Sequence, residues 1–313
     1  MSRRRLILYS AAERRYCEPL LRGFAERHPD IEVDFLFGIS TDLHHRFLDA
    51  VSSGVPVPDL FWSSAMDQQM DLVLEGHAQP HGLPLSLPAG ATYRDLAVAT
   101  TCEPIVTLTR DSAARAGAPT EIAALIEDDA ARFHGRVALP DIETNGLGFL
   151  AMLWWAQDEP GFERFLDALA LSAPRLAGSA PALVAAMADG AELALHVLGA
   201  YAERAVAADP ALKVASSASP SMAVARVAFI PRRAENPEAA SVFLGYMLSP
   251  EGQATIGEAG LFPLNAEQSR PVAPIPLDER FLRLLDPAFR ASVLTRWQTA
   301  VGRIQDQKGR KRA

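Results

Sequence analysis

Asp59-Leu60-Phe61-Trp62-Ser63-Ser64-Ala65-Met66-Asp67 decides the fold. Leu60-Phe61-Trp62 is an apolar run with the length of a buried parallel strand. Ser63-Ser64 ends it with small hydroxyl residues, and Met66, Met70, Val73 and Leu74 then recur at helical spacing. The stretch therefore reads strand, small polar turn, helix. Such a turn gathers free backbone N–H groups beside the positive end of a helix dipole. In an open α/β sheet, ligands collect at the carboxyl ends of strands. A plainer reading leaves the serines only as helix caps.

Upstream, the same unit occurs twice more. Leu6-Ile7-Leu8-Tyr9 is a strand ending at Ser10-Ala11. A helix over 13–28 carries Tyr16, Leu20, Leu21, Phe24 and Ala25 on one face, with Pro19 interrupting it early. Residues 31–37 alternate as a strand, and Ser40 or Thr41 caps a helix carrying Leu43, Phe47, Leu48 and Val51. The order β-α-β-α-β-α implies a parallel sheet with helices on both faces. Ser10-Ala11, Ser40-Thr41 and Ser63-Ser64 then line one sheet edge as a polar rim rich in N–H groups. No Gly-x-Gly-x-x-Gly follows the first strand and no Gly-Lys-Ser/Thr loop is present, so dinucleotide and P-loop readings lack support.

Downstream, 98–109 reads as one long extended run with Thr100-Thr101-Cys102-Glu103-Pro104 at its centre. Polar residues and a proline inside a strand suit a crossing between two lobes. A helix over 119–132 and a strand at 136–139 follow. Thr144-Asn145-Gly146-Leu147-Gly148 then opens a helix through Trp155, a start suited to phosphate or carboxylate. Trp154-Trp155 read as core packing more readily than as a stacking platform. Residues 193–198, containing His196, are a strand or a helix start. Residues 224–231 form a second long apolar strand, the return crossing, and it carries Arg226. A buried arginine needs a partner; a bound anion and Glu103 both qualify. His196 is either a donor to a ligand oxygen or a satisfied structural histidine. Glu103 either holds sugar hydroxyls or locks the hinge. Helices at 237–248, to about 259 and around 278–303 end the chain.

The chain has 313 residues, 49% hydrophobic and 22% charged, ordinary globular usage with room for about two domains. A formal net charge of −8 argues against a nucleic-acid partner. The basic ends, Arg3-Arg4-Arg5 and Lys308-Gly309-Arg310-Lys311-Arg312, read as solvated tails. Cys17 and Cys102 have no spacing that indicates a metal site or fixes a disulfide. No apolar stretch reaches the length of a membrane span. Leu6-Ile7-Leu8-Tyr9 is too short for a leader's apolar core, so the chain is cytoplasmic or its start is incomplete or processed. Ser63, Ser64 and His196 with Asp67 or Asp141 suggest a hydrolase by composition alone, and the Gly-x-Ser-x-Gly elbow is missing.

Several stretches together resemble the type 2 periplasmic substrate-binding proteins of ABC uptake systems. They are Tyr9-Ser10-Ala11, Phe24-Ala25-Glu26-Arg27-His28-Pro29, the opening stretch, and Glu103-Pro104-Ile105-Val106. Val197-Leu198-Gly199-Ala200-Tyr201-Ala202 and Phe243-Leu244-Gly245-Tyr246-Met247-Leu248-Ser249-Pro250-Glu251-Gly252-Gln253 complete the set, and the resemblance runs from about 6 to 303. The branch is similar to binders of ferric ion and of hexose phosphates or phosphoglycerate. The resemblance implies two doubly wound α/β lobes joined by two crossing strands, with ligand held between the lobes by hinge closure. Mapped here, lobe 1 is 1–98 and 228–313, lobe 2 is 102–224, and the hinge strands lie near 99–106 and 224–230. It further implies a periplasmic, monomeric, non-enzymatic protein without cofactor that serves an ABC permease, or a ligand sensor serving a membrane receptor. The ferric branch uses two adjacent tyrosines where this chain has Ala200-Tyr201, so a small organic anion is the expected ligand and ferric ion the alternative. The organic-phosphate branch usually shows Asn where this chain has His196 and Ser where it has Ala200, and tends to carry hydroxyls where Ala223 and Ala225 stand. The expected ligand residues are Ser10, Ala11, Ser40, Thr41, Ser64, Ala65, Glu103, Asn145, Gly146, His196, Tyr201 and Arg226.

Overall fold

The computed structural model describes residues 4–110, 122–215, 222–264 and 273–310. The start of the helix expected at 119, and Arg3, Lys311 and Arg312 of the basic ends, lie outside the described residues. The chain begins with β1 (Arg4–Ser10), α1 (Arg14–Arg27), β2 (Ile31–Phe37), α2 (Ser40–Ser53), β3 (Leu60–Ser63) and α3 (Met66–Leu74). Three short strands follow, β4 (Ala78–Gln79), β5 (Thr92–Tyr93) and β6 (Ala97–Ala99). Next come β7 (Glu103–Arg110), α4 (Ile122–Asp128), α5 (Ala130–Phe133), β8 (Val137–Pro140), α6 (Gly146–Trp155) and α7 (Glu159–Ser172). They are followed by β9 (Arg175–Ala177), α8 (Ala180–Ala188), β10 (Leu193–Leu198), α9 (Gly199–Ala208), β11 (Leu212–Val214) and β12 (Met222–Val224). β13 (Val227–Pro231), α10 (Pro237–Leu248), α11 (Pro250–Glu258), β14 (Ala273–Pro274), α12 (Glu279–Leu284) and α13 (Pro287–Arg310) complete the chain.

Two compact units result. The first comprises Met1–Glu103, Ala223–Gln268 and Pro274–Phe281; the second comprises Pro104–Met222, Ser269–Ala273 and Leu282–Ala313. The expectation placed all of 228–313 with the first lobe, whereas residues from Leu282 onward group with the second unit. The physical reason is α13, which packs against α7 and α6. Arg296 of α13 reaches Glu159 and Glu163 of α7, and Trp297 is 1% exposed.

The first unit's sheet has the order β2-β1-β3-β13-β6-β5. β1 pairs in parallel with β2 and β3, and β13 runs antiparallel to β3 and β6. Leu6, Leu8, Phe24, Trp62 and Phe243 belong to its core. Pro19 does not break α1, which runs through it from Arg14 to Arg27. The second unit's sheet has the order β14-β12-β7-β10-β8-β9, with β10 parallel to β8 and antiparallel to β7.

Both expected crossing strands are interrupted. Residues 98–109 divide into β6 and β7, and 224–231 divide between β12 and β13. The β6–β13 ladder pairs Ala99 with Val227, and Thr100 N still donates to Arg226 O at 2.9 Å. The reciprocal bond of the ladder is absent because side chains take both of its ends. Thr100 O accepts from Gln253 Nε2 at 3.1 Å, and Arg226 N donates to Thr101 Oγ1 at 2.8 Å. Arg226 therefore sits in a gap between strands rather than inside one.

Candidate functional site

In the first unit, the carboxyl ends of β1, β2 and β3 bring the three small-residue turns together, since the strands are adjacent and parallel. Most of their polar groups bond to one another. Ser10 is fully buried, and its Oγ accepts from Ala12 N at 3.0 Å. Ala11 N donates to Trp62 O at 3.1 Å, and Ala65 N donates to Ser63 Oγ at 3.2 Å. The Ala11 and Ala65 N–H groups expected to face ligand are thus internally engaged. Ser40 Oγ lies 3.0 Å from Ser63 Oγ, and Thr41 Oγ1 accepts from Gln68 Nε2 at 3.3 Å. Neither Ser40 nor Thr41 caps α2, whose N-cap is Ile39. Ser64 is partly buried, and its carbonyl accepts from Met66 N at 3.0 Å.

Arg226 differs from its neighbours. Its guanidinium carbon lies 5.9 Å from the centre of the Trp62 ring, a cation–π distance. Its Nε and Nη1 atoms are buried, and among the described residues neither has a hydrogen-bond partner. Glu103, the expected internal partner, is 3% exposed at the start of β7, and among the described residues no ion pair joins it to Arg226. Arg226 also acts on Cys17. Burial pushes that thiol up to about 11, while the nearby guanidinium and a hydrogen bond with Ser10 pull it the other way. Both cysteines are free.

In the second unit, β8 and β10 are parallel neighbours, so α6 and α9 start at the same sheet edge. Asn145 caps α6: its Oδ1 accepts from Gly148 N at 2.8 Å and its Nδ2 donates to Gly178 O at 3.2 Å. Gly146 opens the helix with empty space where a Cβ would stand. Tyr201 lies in the first turn of α9, with the Arg204 guanidinium 4.8 Å from its ring centre.

His196 goes elsewhere. It occupies a register shift in β10 with φ +54°, and its ring packs against Trp155 and Phe165 at 5.9 and 6.2 Å. Its Nδ1 is buried and has no partner among the described residues, and burial lowers its pKa from 6.5 to about 4. It is a neutral histidine in an apolar setting, and the bare Nδ1 departs from the satisfied structural residue that was one of the two expectations. Trp155 is core, 3.9 Å from Phe165.

The model of the bacterial extracellular solute-binding proteins matches residues 6–262. The chain belongs to this family. No curated protein matches the sequence. The solute-binding protein is similar in structure to the substrate-binding protein of an ABC transporter from Agrobacterium tumefaciens, at 26% identity and TM-score 0.81, covering 96% of this chain and 94% of that one. Iron-bound HitA from Pseudomonas aeruginosa matches at 16% identity and TM-score 0.72, covering 95% and 99%. AfuA from Actinobacillus pleuropneumoniae, with fructose 6-phosphate bound, matches at 16% and 0.70, covering 96% and 99%. The solute-binding protein is thus of the ABC-transporter type, with the two-sheet α/β fold of the periplasmic binding proteins. Its family is extracytoplasmic, and among the described residues no helix is long and apolar enough to cross a membrane.

Sequence reasoning missed Trp62, Thr100, Thr101 and Gln253 as parts of the Arg226 surroundings. Two adjacent threonines in an apolar run were the available signal. Their partners lie 125 and 126 residues away in sequence, beyond the reach of local patterning.

Proposed function

We propose that this solute-binding protein carries a small organic anion, a phosphorylated sugar or similar, to an ABC permease, with Arg226 as the principal anion contact. The observation that supports this reading is the buried, unpartnered pair of Arg226 nitrogens. Arg226 is partly buried, and two buried donors of its guanidinium without acceptors carry a desolvation cost that a bound oxyanion offsets. The planar guanidinium matches two coplanar oxygens of a phosphate or carboxylate. Within the second unit, open space at Gly146 and the start of α6 offer N–H donors suited to the same kind of oxyanion.

Ferric ion fits less well. Tyr201 stands without the second tyrosine, and the Arg204 cation over its ring opposes a trivalent metal. Calorimetric titration with fructose 6-phosphate, 3-phosphoglycerate and ferric citrate distinguishes the readings. A phosphorylated ligand should bind to the wild type and at least tenfold more weakly to Arg226→Ala, from a loss of roughly 2–5 kcal/mol. Unchanged affinity with a lowered melting temperature would falsify the ligand role of Arg226. A stoichiometric coloured ferric complex, lost in Tyr201→Phe, would establish the alternative.

A further inference from the structure

We infer that Thr100 and Thr101 are positioning residues for the Arg226 guanidinium. The inference deepens the anion reading and rests on it for its effect on binding. Arg226 is held through its main chain from both sides: its N–H donates to Thr101 Oγ1 at 2.8 Å, and its carbonyl accepts from Thr100 N and from Thr100 Oγ1, both at 2.9 Å. Thr100 Oγ1 also accepts from Trp62 Nε1 at 2.7 Å. The indole fixed by that bond is the ring beside which the guanidinium lies, at 5.9 Å. Trp62, Thr100 and Arg226 thus form a closed circuit: one hydroxyl sets both the backbone of the arginine and the plane of the ring it rests on.

Threonine is required at these positions by chemistry more than by volume. The two side chains are 0% and 1% exposed, where valine would fill the same space. Valine would, however, leave Trp62 Nε1–H and Arg226 N–H as buried donors without acceptors. Gln253 closes the arrangement from behind, its Nε2 donating to Thr100 O and its Oε1 accepting from Leu264 N. The circuit sits beside two of the points where the chain passes between its units, Glu103/Pro104 and Met222/Ala223. The residue that reads the anion is therefore tied by its own backbone to both crossing segments. A guanidinium held in one plane selects ligands that present two coplanar oxygens, where a mobile one would accept any anion.

The test uses the full chain labelled with 15N-arginine, with the Arg226 Nε–H resonance assigned by its loss in Arg226→Lys. Burial and the nearby indole should set this resonance apart from the exposed arginines and slow its exchange with water. Thr100→Val and Thr101→Val should each return it toward the bulk position and weaken fructose 6-phosphate binding at least tenfold. Thr100→Ser and Thr101→Ser should restore both. Trp62→Phe, which keeps a ring but removes the Nε1 donor, should also move the resonance and serves if a valine variant fails to fold. A resonance unmoved in the valine variants, or in Trp62→Phe where those do not fold, overturns the inference. A moved resonance with unchanged affinity overturns the anion reading and the effect on binding together. Absence of fructose 6-phosphate binding to the wild type rejects that ligand, and the resonance still decides whether the threonines position the arginine.

Discussion

His196 shows how far a single residue can depart from its pattern. Its place in an apolar strand suggests either a ligand donor or a satisfied core group; the structure holds it neutral between Trp155 and Phe165, with a left-handed backbone and an Nδ1 that has no partner among the described residues. A positive φ is tolerated better by His, Asn and Asp than by most residues, but nothing in a linear sequence marks it. The pH consequence follows directly. The folded pKa lies at about 4, below the ordinary 6.5, so between these values the unfolded chain takes up a proton that the folded one refuses. Stability should therefore be full above pH 6.5 and fall as pH drops toward 4, by roughly 3 kcal/mol. His196→Asn keeps a residue suited to left-handed backbone and removes the titration. Urea unfolding of both proteins at pH 7 and pH 5 checks this: the wild type should lose more stability on acidification than the variant, and equal losses would refute the assignment.

At the scale of elements, most of the fold was legible. The β-α-β-α-β-α opening and the helix starts at Asn145 and Ser249 stood in local patterns, because caps and apolar periodicity act within a few residues. Gly252 in the Ser-Pro-Glu-Gly-Gln stretch has an equally local reason: a Cβ there would stand 1.9 Å from Tyr246 O. The interrupted crossing strands were not legible, because each gap is made by a hydrogen bond from a distant side chain. Asn145 stands at the helix start where the sequence places one, and its side chain has a structural task of its own. Its side chain is occupied by Gly148 N and Gly178 O, so it ties α6 to the segment before α8. Asn145→Ala should cost about 1 kcal/mol, within the usual range for a lost cap. Chemical denaturation should show a lower midpoint at an unchanged slope, and an unchanged midpoint would remove the capping role.

For the whole molecule, the two-unit plan could be anticipated, but the home of the C-terminal helix could not. An amphipathic helix announces that it packs, not against what. α13 packs on α7 and is tied to it by the Arg296 ion pairs, and Trp297 on the same helix is buried. Trp297→Ala should destabilise by roughly 3–5 kcal/mol, the range for deleting a buried indole, and the loss should be confined to the second unit. Hydrogen exchange should show faster opening of α6 and α7 with β1 to β3 unaffected. Equal loss of protection in the first unit would contradict this division.

Cys17 makes the first unit a clock of its own opening. Its thiol is fully buried on α1, donates to Ala12 O at 3.7 Å, and has a pKa raised to about 11, so almost no thiolate exists at neutral pH. Reaction with an aromatic disulfide reagent must wait for the unit to open, and its rate then reports how often that happens. In a Cys102→Ser background the colour released would come from Cys17 alone. Any solute that seats on Arg226 stabilises the closed form in proportion to its occupancy and slows that release. A library of unlabelled metabolites could thus be ranked by delay in a plate reader before the transported solute has a name; a library in which phosphorylated compounds produce no delay would count against them.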